Sequence, residues 1–191
     1  MEDQDQAARH IRRCGPADSD DMLAIINAAA EAYRGVIPAD RWHEPYMSAG
    51  ELASELAEGV KFSGYLREDR LIGVMGVQRR HNVDLIRHAY VLPEWQGQGI
   101  GAHLLKHLCR GAERPILIGT WRAADWAIRF YERHGFVQVG EDDVARLLRT
   151  YWNIPERQIA TSVVLASVPG RDFVDRVIAE ANAHAPGHSV M

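Results

Sequence analysis

Apolar residues in the first part of the chain recur at helical spacing in two segments. The run over 22–33 places Met, Leu, Ile, Ala and Tyr every three to four residues, which predicts an amphipathic helix. The preceding segment 18–21 (Asp-Ser-Asp-Asp) offers N-cap oxygens and acidic charge for its first turn. Ser48 and Glu51 have the spacing of a capping box. They predict the start of a second helix, which is expected to end at Gly59.

Strands are predicted in the next part of the chain. Segments 60–67, 71–79 and 84–92 are rich in aliphatic and aromatic residues, and short polar turns separate them. Short connections favour antiparallel neighbours, so these segments predict a three-stranded meander that ends before Pro93. A short strand over residues 10–14 is expected to precede the first helix.

After the meander the pattern changes to an alternation of helices and short apolar strands. The continuous apolar run over 115–121 is typical of a buried strand. Asp125 is expected to cap a helix that Gly135 ends. The other predicted elements are a helix over 99–110, a strand over 136–140, a helix around Val144, Leu147 and Leu148, a strand over 158–167 and a helix over 170–184.

Length and composition favour one ordinary α+β domain. The chain has 191 residues, of which 47% are hydrophobic and 25% charged. We predict a single domain over residues 1–191, with 1–8 as a loose N-terminus and 170–191 as a C-terminal extension. A net charge of −4 argues against a nucleic-acid-binding protein. The same charge fits a cationic partner, or solubility alone.

Cysteine content and hydropathy exclude further classes of protein. Cys14 and Cys109 are too few for a disulfide scaffold, and no Cys/His spacing typical of a metal site occurs. No metal is therefore expected. The sequence has neither a signal-peptide pattern nor an apolar run of about 18 residues. We expect a cytoplasmic monomer or homodimer with no membrane partner.

A glycine-rich turn joins the meander to the next helix. Gly97, Gly99 and Gly101 permit positive φ and let an anion approach bare N–H groups. The N-terminus of the following helix adds unpaired donors and the positive end of its dipole. Together these features favour a pyrophosphate site. A turn that only connects a strand to a helix would account for the same glycines.

The spacing Gly97-x-Gly99-x-x-Ala102 also fits the loose dinucleotide fingerprint of a nucleotide-dependent oxidoreductase. That fingerprint calls for an acidic residue at the end of the next strand. Glu113 and Asp125 flank the predicted strand instead, and an antiparallel meander precedes the turn. These residues argue against a nicotinamide site.

One segment carries a family resemblance. Gln96-x-x-Gly99-x-Gly101, entered through Val91-x-Pro93, resembles the Q/R-x-x-G-x-G/A signature of the GNAT superfamily of N-acetyltransferases. The resemblance implies a GNAT-like fold, with a mixed, mostly antiparallel central sheet flanked by helices and a β-α-β unit that binds acetyl-CoA as co-substrate. In this family the amides of the loop hold the coenzyme A pyrophosphate. The cofactor-binding residues that it predicts are Val91, Gln96, Gly97, Gln98, Gly99, Ile100, Gly101 and Ala102.

A second motif strengthens the resemblance. Residues 124–136 are similar to the other GNAT hallmark, N-x-x-A-x-x-F-Y-x-x-x-G-F. Ala124 departs from it, since the family often has an Asn there that contacts the cofactor; either Asp125 substitutes for that contact or the contact is absent. The resemblance implies that Tyr131 is the general acid for the leaving thiolate, because a phenol is protonated at neutral pH. As an aromatic residue beside Phe130, Tyr131 would also fit a packing role.

The resemblance implies an N-acetyltransferase in which a primary amine attacks the thioester directly. A small-molecule amine or a peptide is the expected acceptor. A backbone amide within 90–92 would polarise the thioester carbonyl. A non-catalytic, regulatory acyl-CoA-binding domain is the alternative, and Ala124 is the residue that favours it.

The residues that handle the amine stay open at the level of sequence. His88 alternates with Ile86, Tyr90 and Leu92 and is expected to share a strand face with them. The candidates for the general base are Asp84, His88, Glu44, His43 and His81. The candidates for the acceptor site are Tyr33, Arg34, Trp42, His43, Glu44 and Tyr46, whose aromatic members would equally fit loop anchors packed on the core. A second group, expected to close the other side of the site or to form an oligomer contact, is Trp152, Asn153, Pro155 and Arg157.

Overall fold

The computed structural model describes residues 10–168 and 170–183. The predicted loose end over 1–8 and the last part of the predicted extension, 184–191, lie outside the described residues. The described residues form seven strands and seven α-helices. The strands are β1 (Ile11–Arg13), β2 (Lys61–Arg67), β3 (Arg70–Arg80), β4 (Val83–Val91), β5 (Ile116–Trp121), β6 (Val137–Gln138) and β7 (Ser162–Ala166). The helices are α1 (Ser19–Ala30), α2 (Ala49–Ala57), α3 (Ile100–Cys109), α4 (Asp125–Arg133), α5 (Glu141–Tyr151), α6 (Glu156–Ala160) and α7 (Arg171–Ala183).

The strands form one sheet in the order β1-β2-β3-β4-β5-β7-β6. β2 pairs antiparallel with β1 and β3, and β7 pairs antiparallel with β5 and β6. A mixed, mostly antiparallel sheet with helices confirms the predicted fold class. The chain divides into two compact units, one of residues up to 78 with 86–113, the other of residues 79–85 with those from 114 onward. The single-domain organisation stays a prediction.

The first unit contains the predicted hairpin of β2 and β3. Arg67 pairs with Arg70 across a two-residue turn. The turn residues Glu68 and Asp69 have φ of +49° and +62°. Positive φ at both central residues matches the right-handed twist of the flanking strands, which explains why so short a connection suffices here.

Both predicted helices of this unit are present. The capping box of α2 is confirmed, because Ser48 Oγ accepts a hydrogen bond from the amide of Glu51 at 3.2 Å and the amide of Ser48 donates to Glu51 Oε2 at 2.8 Å. The helix α1 packs an apolar face into the core. The buried residues of that face are Met22, Ile25, Ile26, Ala29 and Ala30.

The predicted acidic N-cap of α1 is wrong in one respect. Asp18 occupies the cap position but makes no side-chain capping bond. Its carboxylate binds Arg12 at 2.7 and 2.8 Å and accepts a hydrogen bond from the amide of Gly15 at 2.7 Å. The hydrogen bond from Arg12 is the main cause that lowers the pKa of Asp18 to about 2. A charged partner from β1 thus competes successfully with the helix amides.

The second unit differs from the prediction at three places. Ala124, not Asp125, is the cap of α4, and Asp125 is the first helical residue. The predicted strand over 136–140 is shorter, since β6 covers only Val137–Gln138. The first residues of the segment predicted as a strand, 158–167, belong instead to the helix α6. Pro155 at the helix cap accepts hydrogen bonds from the amides of Gln158 and Ile159, and the strand begins only at Ser162.

The predicted C-terminal extension is part of the core of the second unit as far as it is described. Phe173, Val174, Val177 and Ala181 of α7 are at most 3% exposed. They belong to one apolar cluster with residues of β4, β5, β7 and α5. Long aliphatic and aromatic side chains in such a cluster supply much of the stability of a small fold.

Polar contacts fix the position of α7 within that unit. The hydroxyl oxygen of Tyr151 lies 2.8 Å from both Asn82 Oδ1 and the carbonyl of Val177, and these two acceptors share its one proton. Asn82 Nδ2 donates in turn to the same carbonyl and to Glu180 Oε2, both at 3.0 Å. Burial raises the pKa of Tyr151 to about 12, so this tyrosine acts as a neutral hydrogen-bonding group.

We predict that Phe173→Ala lowers the free energy of unfolding by about 3–5 kcal/mol, because it leaves a cavity in this cluster. Urea denaturation followed by circular dichroism measures the change. Arg176→Ala, on the exposed side of α7, is the matched control and should alter stability by less than about 0.5 kcal/mol. Equal effects of the two substitutions would contradict a core role of α7.

Candidate functional site

The predicted glycine-rich turn lies in the first unit between β4 and α3. A single 3-10 turn, Pro93–Trp95, follows the strand. Gly97 and Gly99 then have φ of +76° and +80°, and Gly99 is the N-cap of α3. A Cβ built on Gly97 would meet no atom within 4 Å, and one on Gly99 would meet only His103 Cε1, at 3.8 Å. The left-handed backbone, and not lack of space, therefore requires glycine at both positions.

The amides after this turn are available for an anion. The first helical hydrogen bond of α3 runs from the amide of His103 to the carbonyl of Gly99, at 3.0 Å. The amides of Ile100, Gly101 and Ala102 precede it and have no carbonyl within the helix. They also lie at the positive end of the helix dipole. This arrangement suits a phosphate group.

Side chains of the predicted set brace the turn. Gln96 Nε2 donates to the carbonyl of Val91 at 3.0 Å, and the amide of Gln96 donates to the carbonyl of Pro93 at 3.3 Å. Gln98 Nε2 reaches the carbonyl of Glu94 at 3.5 Å. The side chains of Gln96 and Gln98 are thus hydrogen-bonded to the backbone of the turn. The backbone amides at the start of α3 are the groups left without a partner inside the helix.

Three stacked rings that the sequence analysis did not identify begin at the turn with His103. His103 stacks on Tyr65 of β2 with ring centroids 6.0 Å apart, and Tyr65 stacks on His10 at the same separation. His103 comes four residues after Gly99, so both lie on one face of α3, a spacing that would have pointed to it. Behind the turn, Ile100 is buried and lies so close to Gly73 that an added Cβ would be 3.1 Å from its Cγ2.

Tyr131 lies in α4 of the second unit and is 6% exposed. Its ring contacts Phe130 and Phe136 edge-on, with centroids 5.1 and 6.1 Å apart. The helix ends at Gly135, whose φ is +88°, as the motif predicts. Ala124, where the family often has Asn, is fully buried. Its carbonyl accepts the amides of Ala127 and Ile128, so it starts the helix.

The predicted acceptor segment is an aromatic cluster in the first unit. The ring of Tyr46 lies 6.0 Å from Tyr33, 5.5 Å from Trp42 and 6.2 Å from His43. The guanidinium of Arg34 lies 4.7 Å from the centre of the Trp42 ring. It also pairs with Glu31 and Glu44. Trp152, from the second group of predicted acceptor residues, lies next to Gly119 in the second unit. A Cβ built on Gly119 would lie 3.2 Å from the indole ring of Trp152.

The candidate bases have different surroundings. His43 Nδ1 lies 2.7 Å from the carbonyl of Pro45, and Asp84 lies 3.8 Å from Arg79. His81 is a turn residue whose ring lies 6.0 Å from that of Tyr151. His88 differs from these, because its Nε2 lies 3.1 Å from the carboxylate of Glu55.

The predicted alternation of His88 with its strand neighbours is wrong. Its φ is +52° in the middle of β4. A left-handed residue interrupts the two-residue repeat that a regular strand maintains. Arg87 and His88, which are adjacent in sequence, accordingly both approach Glu55. The face on which His88 lies therefore cannot be counted from Tyr90 and Leu92.

The described residues contain neither a membrane-spanning helix nor a metal-binding group of side chains. In the part of the chain that the structure covers, no helix combines the length and the apolar character needed to cross a membrane. Within residues 10–168 and 170–183, no three side chains of His, Cys, Asp or Glu form a group that could hold a metal ion.

Solved structures with the same fold share low sequence identity with this chain. The PaiA N-acetyltransferase of Thermoplasma acidophilum, in complex with coenzyme A, has a TM-score of 0.63 and 17% identity, over 83% of this chain and 98% of the other. The ribosomal-protein-alanine N-acetyltransferase of Brucella melitensis has a TM-score of 0.54 and 23% identity, over 68% and 85%.

The N-acetylglutamate synthase of Neisseria gonorrhoeae, complexed with coenzyme A and N-acetyl-glutamate, has a TM-score of 0.55 and 22% identity, over 82% of this chain and 34% of the other. At these identities the likeness shows the fold. No curated protein sequence matches the chain. The family model described as an acetyltransferase (GNAT) domain matches residues 27–150, which is more than half of the chain. This protein therefore belongs to the GNAT acetyltransferase family.

Proposed function

We propose that this protein is an N-acetyltransferase that transfers the acetyl group of acetyl-CoA to a primary amine. The observation that carries the proposal is the turn before α3. Left-handed Gly97 and Gly99 precede a helix whose first amides lack helical acceptors, and this is an arrangement that binds phosphate groups. The family assignment supports coenzyme A as the ligand, since its pyrophosphate would bind these amides.

The binding residues of the proposal are the backbone groups of Val91 and of residues 96–102. The amides of Ile100, Gly101 and Ala102 would bind the pyrophosphate. Gln96 would act mainly through its brace on Val91, because its side chain already donates to that carbonyl. His103 is added as a neighbour of the site, since it is the side chain nearest to the open space at Gly99.

In the proposed reaction the amine attacks the thioester carbonyl directly, without an acyl-enzyme. The nitrogen–carbon bond forms, the carbon–sulfur bond breaks, and the sulfur leaves as a thiolate. Tyr131 is proposed to protonate that sulfur. Its packing against Phe130 and Phe136 would hold the phenol in one orientation, so the packing role and the acid role are compatible.

The acceptor is proposed to be a small-molecule amine or a peptide. The similar structures include enzymes named for a protein alanine and for glutamate, and both substrates carry a primary amine. The aromatic cluster around Tyr46 is the proposed acceptor segment, because stacked rings suit an amine with an apolar body.

Calorimetric titration tests the cofactor first. We expect acetyl-CoA to bind, with a dissociation constant of about 1 µM to 1 mM, and NAD to show no heat of binding. Binding of NAD in place of acetyl-CoA would indicate an oxidoreductase. A thiol-release assay then screens L-glutamate, n-butylamine and a peptide with an N-terminal alanine. Binding without transfer to any acceptor would favour the regulatory acyl-CoA-binding domain.

We predict that Gly99→Val weakens acetyl-CoA binding by at least about 100-fold. A β-branched residue strains the left-handed backbone, and loss of two hydrogen bonds to a charged group accounts for that factor at about 1.5–3 kcal/mol each. Gly111→Val is the matched control, since Gly111 follows the other end of α3 with φ of +75° and should leave affinity unchanged. Unaltered affinity in Gly99→Val would contradict the assignment of the turn.

We predict that Tyr131→Phe lowers kcat by about 100-fold or more while acetyl-CoA affinity changes less than about twofold, because the phenol acts on the leaving group in the transition state. Tyr151→Phe is the control, as that hydroxyl binds Asn82 and Val177. It should lower stability by about 1–3 kcal/mol and leave kcat intact. Wild-type turnover in Tyr131→Phe would remove this residue from the mechanism.

A further inference from the structure

A polar cluster in the first unit joins α2 to β4. Arg87 Nη2 donates to Glu55 Oε1 at 2.7 Å, and His88 Nε2 lies 3.1 Å from Glu55 Oε2. The side chains of Glu55, Arg87 and His88 are 21%, 19% and 14% exposed. The two carboxylate oxygens therefore face different residues of the same strand. The contact with Arg87 is a hydrogen bond, whereas the contact with His88 is an ion-pair approach without the alignment of a hydrogen bond.

The backbone of β4 is distorted at this cluster. His88 has a φ of +52°, which is uncommon for a residue with a Cβ. Its two neighbours along the chain, Arg87 and Ala89, lie in the same strand, so the distortion is confined to one residue. Conformations of this kind persist where the surroundings enforce them, and they occur frequently at functional sites.

The surroundings of the cluster hold it in place from three other directions. Arg87 Nη1 donates to Gln78 Oε1 at 2.7 Å, and Gln78 Nε2 donates to the carbonyl of Glu58 at 3.0 Å. Gln78 is 1% exposed. The ring of His88 stacks on that of Phe62, with centroids 5.7 Å apart. A Cβ on Gly76 would lie 3.1 Å from the carbonyl of Arg87, so β3 and β4 are in close contact here.

The charge of the cluster prepares His88 for proton transfer. Burial raises the pKa of Glu55, but the close approach of His88 and Arg87 outweighs burial, so the pKa lies below its ordinary value. Glu55 is therefore a carboxylate at neutral pH. A carboxylate beside Nε2 holds the proton of a neutral imidazole on that nitrogen. Nδ1 then keeps its lone pair, and among the described residues no group is hydrogen-bonded to it.

The cluster is linked to both parts of the proposed site that lie in the first unit. His88 is on the strand that ends at Val91, whose carbonyl holds Gln96 of the glycine-rich turn. Glu55 is one helical turn after Glu51, which lies 3.6 Å from His43 of the aromatic cluster. A base on β4 would thus be placed on the strand that leads into the turn and beside the helix whose Glu51 contacts the acceptor segment.

We propose that His88 is the general base of the acyl transfer and that Glu55 is its positioning residue. This inference rests on the proposed function. As the amine nitrogen bonds to the carbonyl carbon of the thioester, the nitrogen acquires a positive charge, and His88 Nδ1 accepts its proton. The carbon–sulfur bond then breaks and its electron pair leaves with the sulfur. Glu55 stabilises the imidazolium that results, and Arg87 and Gln78 fix the carboxylate.

We expect His88→Asn to lower kcat at about pH 7.5 by about 100-fold or more, which is the usual contribution of a general base. Asn is the replacement because it tolerates a left-handed backbone better than most residues. Acetyl-CoA affinity, measured by calorimetry, should change less than about twofold. The acceptor is the member of the panel above with the highest turnover.

The dependence on pH separates a base from a merely structural residue. Near pH 9.5 a larger fraction of the amine is neutral and hydroxide accepts protons, so the deficit of His88→Asn should shrink at least about tenfold. The groups that face His88 are Glu55 from α2, Arg87 on its own strand, neutral Gln78 from β3 and the ring of Phe62 from β2. Glu55, whose pKa lies below its ordinary value, stays ionised over this range.

Asp69→Asn is the matched control, because it places asparagine at another left-handed residue, with φ of +62° in an exposed turn. Its kcat should equal that of the wild type at both pH values. Glu55→Gln should lower kcat about tenfold or more without loss of acetyl-CoA binding. Nitrogen-15 spectra of histidine-labelled protein provide a readout that needs no acceptor, and we expect the tautomer of His88 with the proton on Nε2.

Three results on turnover or protonation would overturn the proposal, and a fourth concerns acetyl-CoA binding. They are wild-type kcat in His88→Asn, a deficit of the same size at both pH values, and a neutral His88 with its proton on Nδ1. Loss of acetyl-CoA binding in His88→Asn would assign the residue a structural role and would likewise overturn it. Failure of the proposed function is distinct, since the wild-type protein would then not bind acetyl-CoA or transfer its acetyl group.

Discussion

The first unit depends on the way α3 begins. A helix that starts directly after left-handed residues leaves the amides of its first turn without carbonyl partners, and Gly97 and Gly99 supply that conformation at no steric penalty. Gln96 closes the turn onto Val91, while Ile100 fills the space next to Gly73. Strand end, turn and helix start therefore form one piece, and its capacity for an anion follows from that geometry.

The polar cluster around Glu55 is the second constraint on the same unit. Removing a carboxylate, a guanidinium and an imidazole from water is unfavourable unless each is paired. Here the two oxygens of Glu55 face Arg87 and His88 separately, and Gln78 Oε1 accepts a further hydrogen bond from Arg87. These contacts hold α2 against β4 at the left-handed residue His88. The residue that we propose as the general base therefore also takes part in joining the two elements.

In the second unit, α7 is part of the apolar core, although it is the last of the described helices. The family model ends at residue 150, but Phe173 and Val177 are as deeply buried as the residues of α5. Tyr151 and Asn82 bind the backbone of α7. The helix is therefore a part of this unit and not an appendage.

Local rules account for what the sequence by itself determined. The capping box at Ser48 and the glycines of the turn act within a few residues, and the periodicities of helix and strand reveal most elements. The two motifs, in their order, indicate the family. Tertiary structure alone decided the partners of charged groups, since Asp18 binds Arg12 in place of capping α1 and Glu55 pairs with His88. Such choices depend on which distant group offers the stronger interaction in a buried setting, and a residue's neighbours in sequence carry no information on that competition.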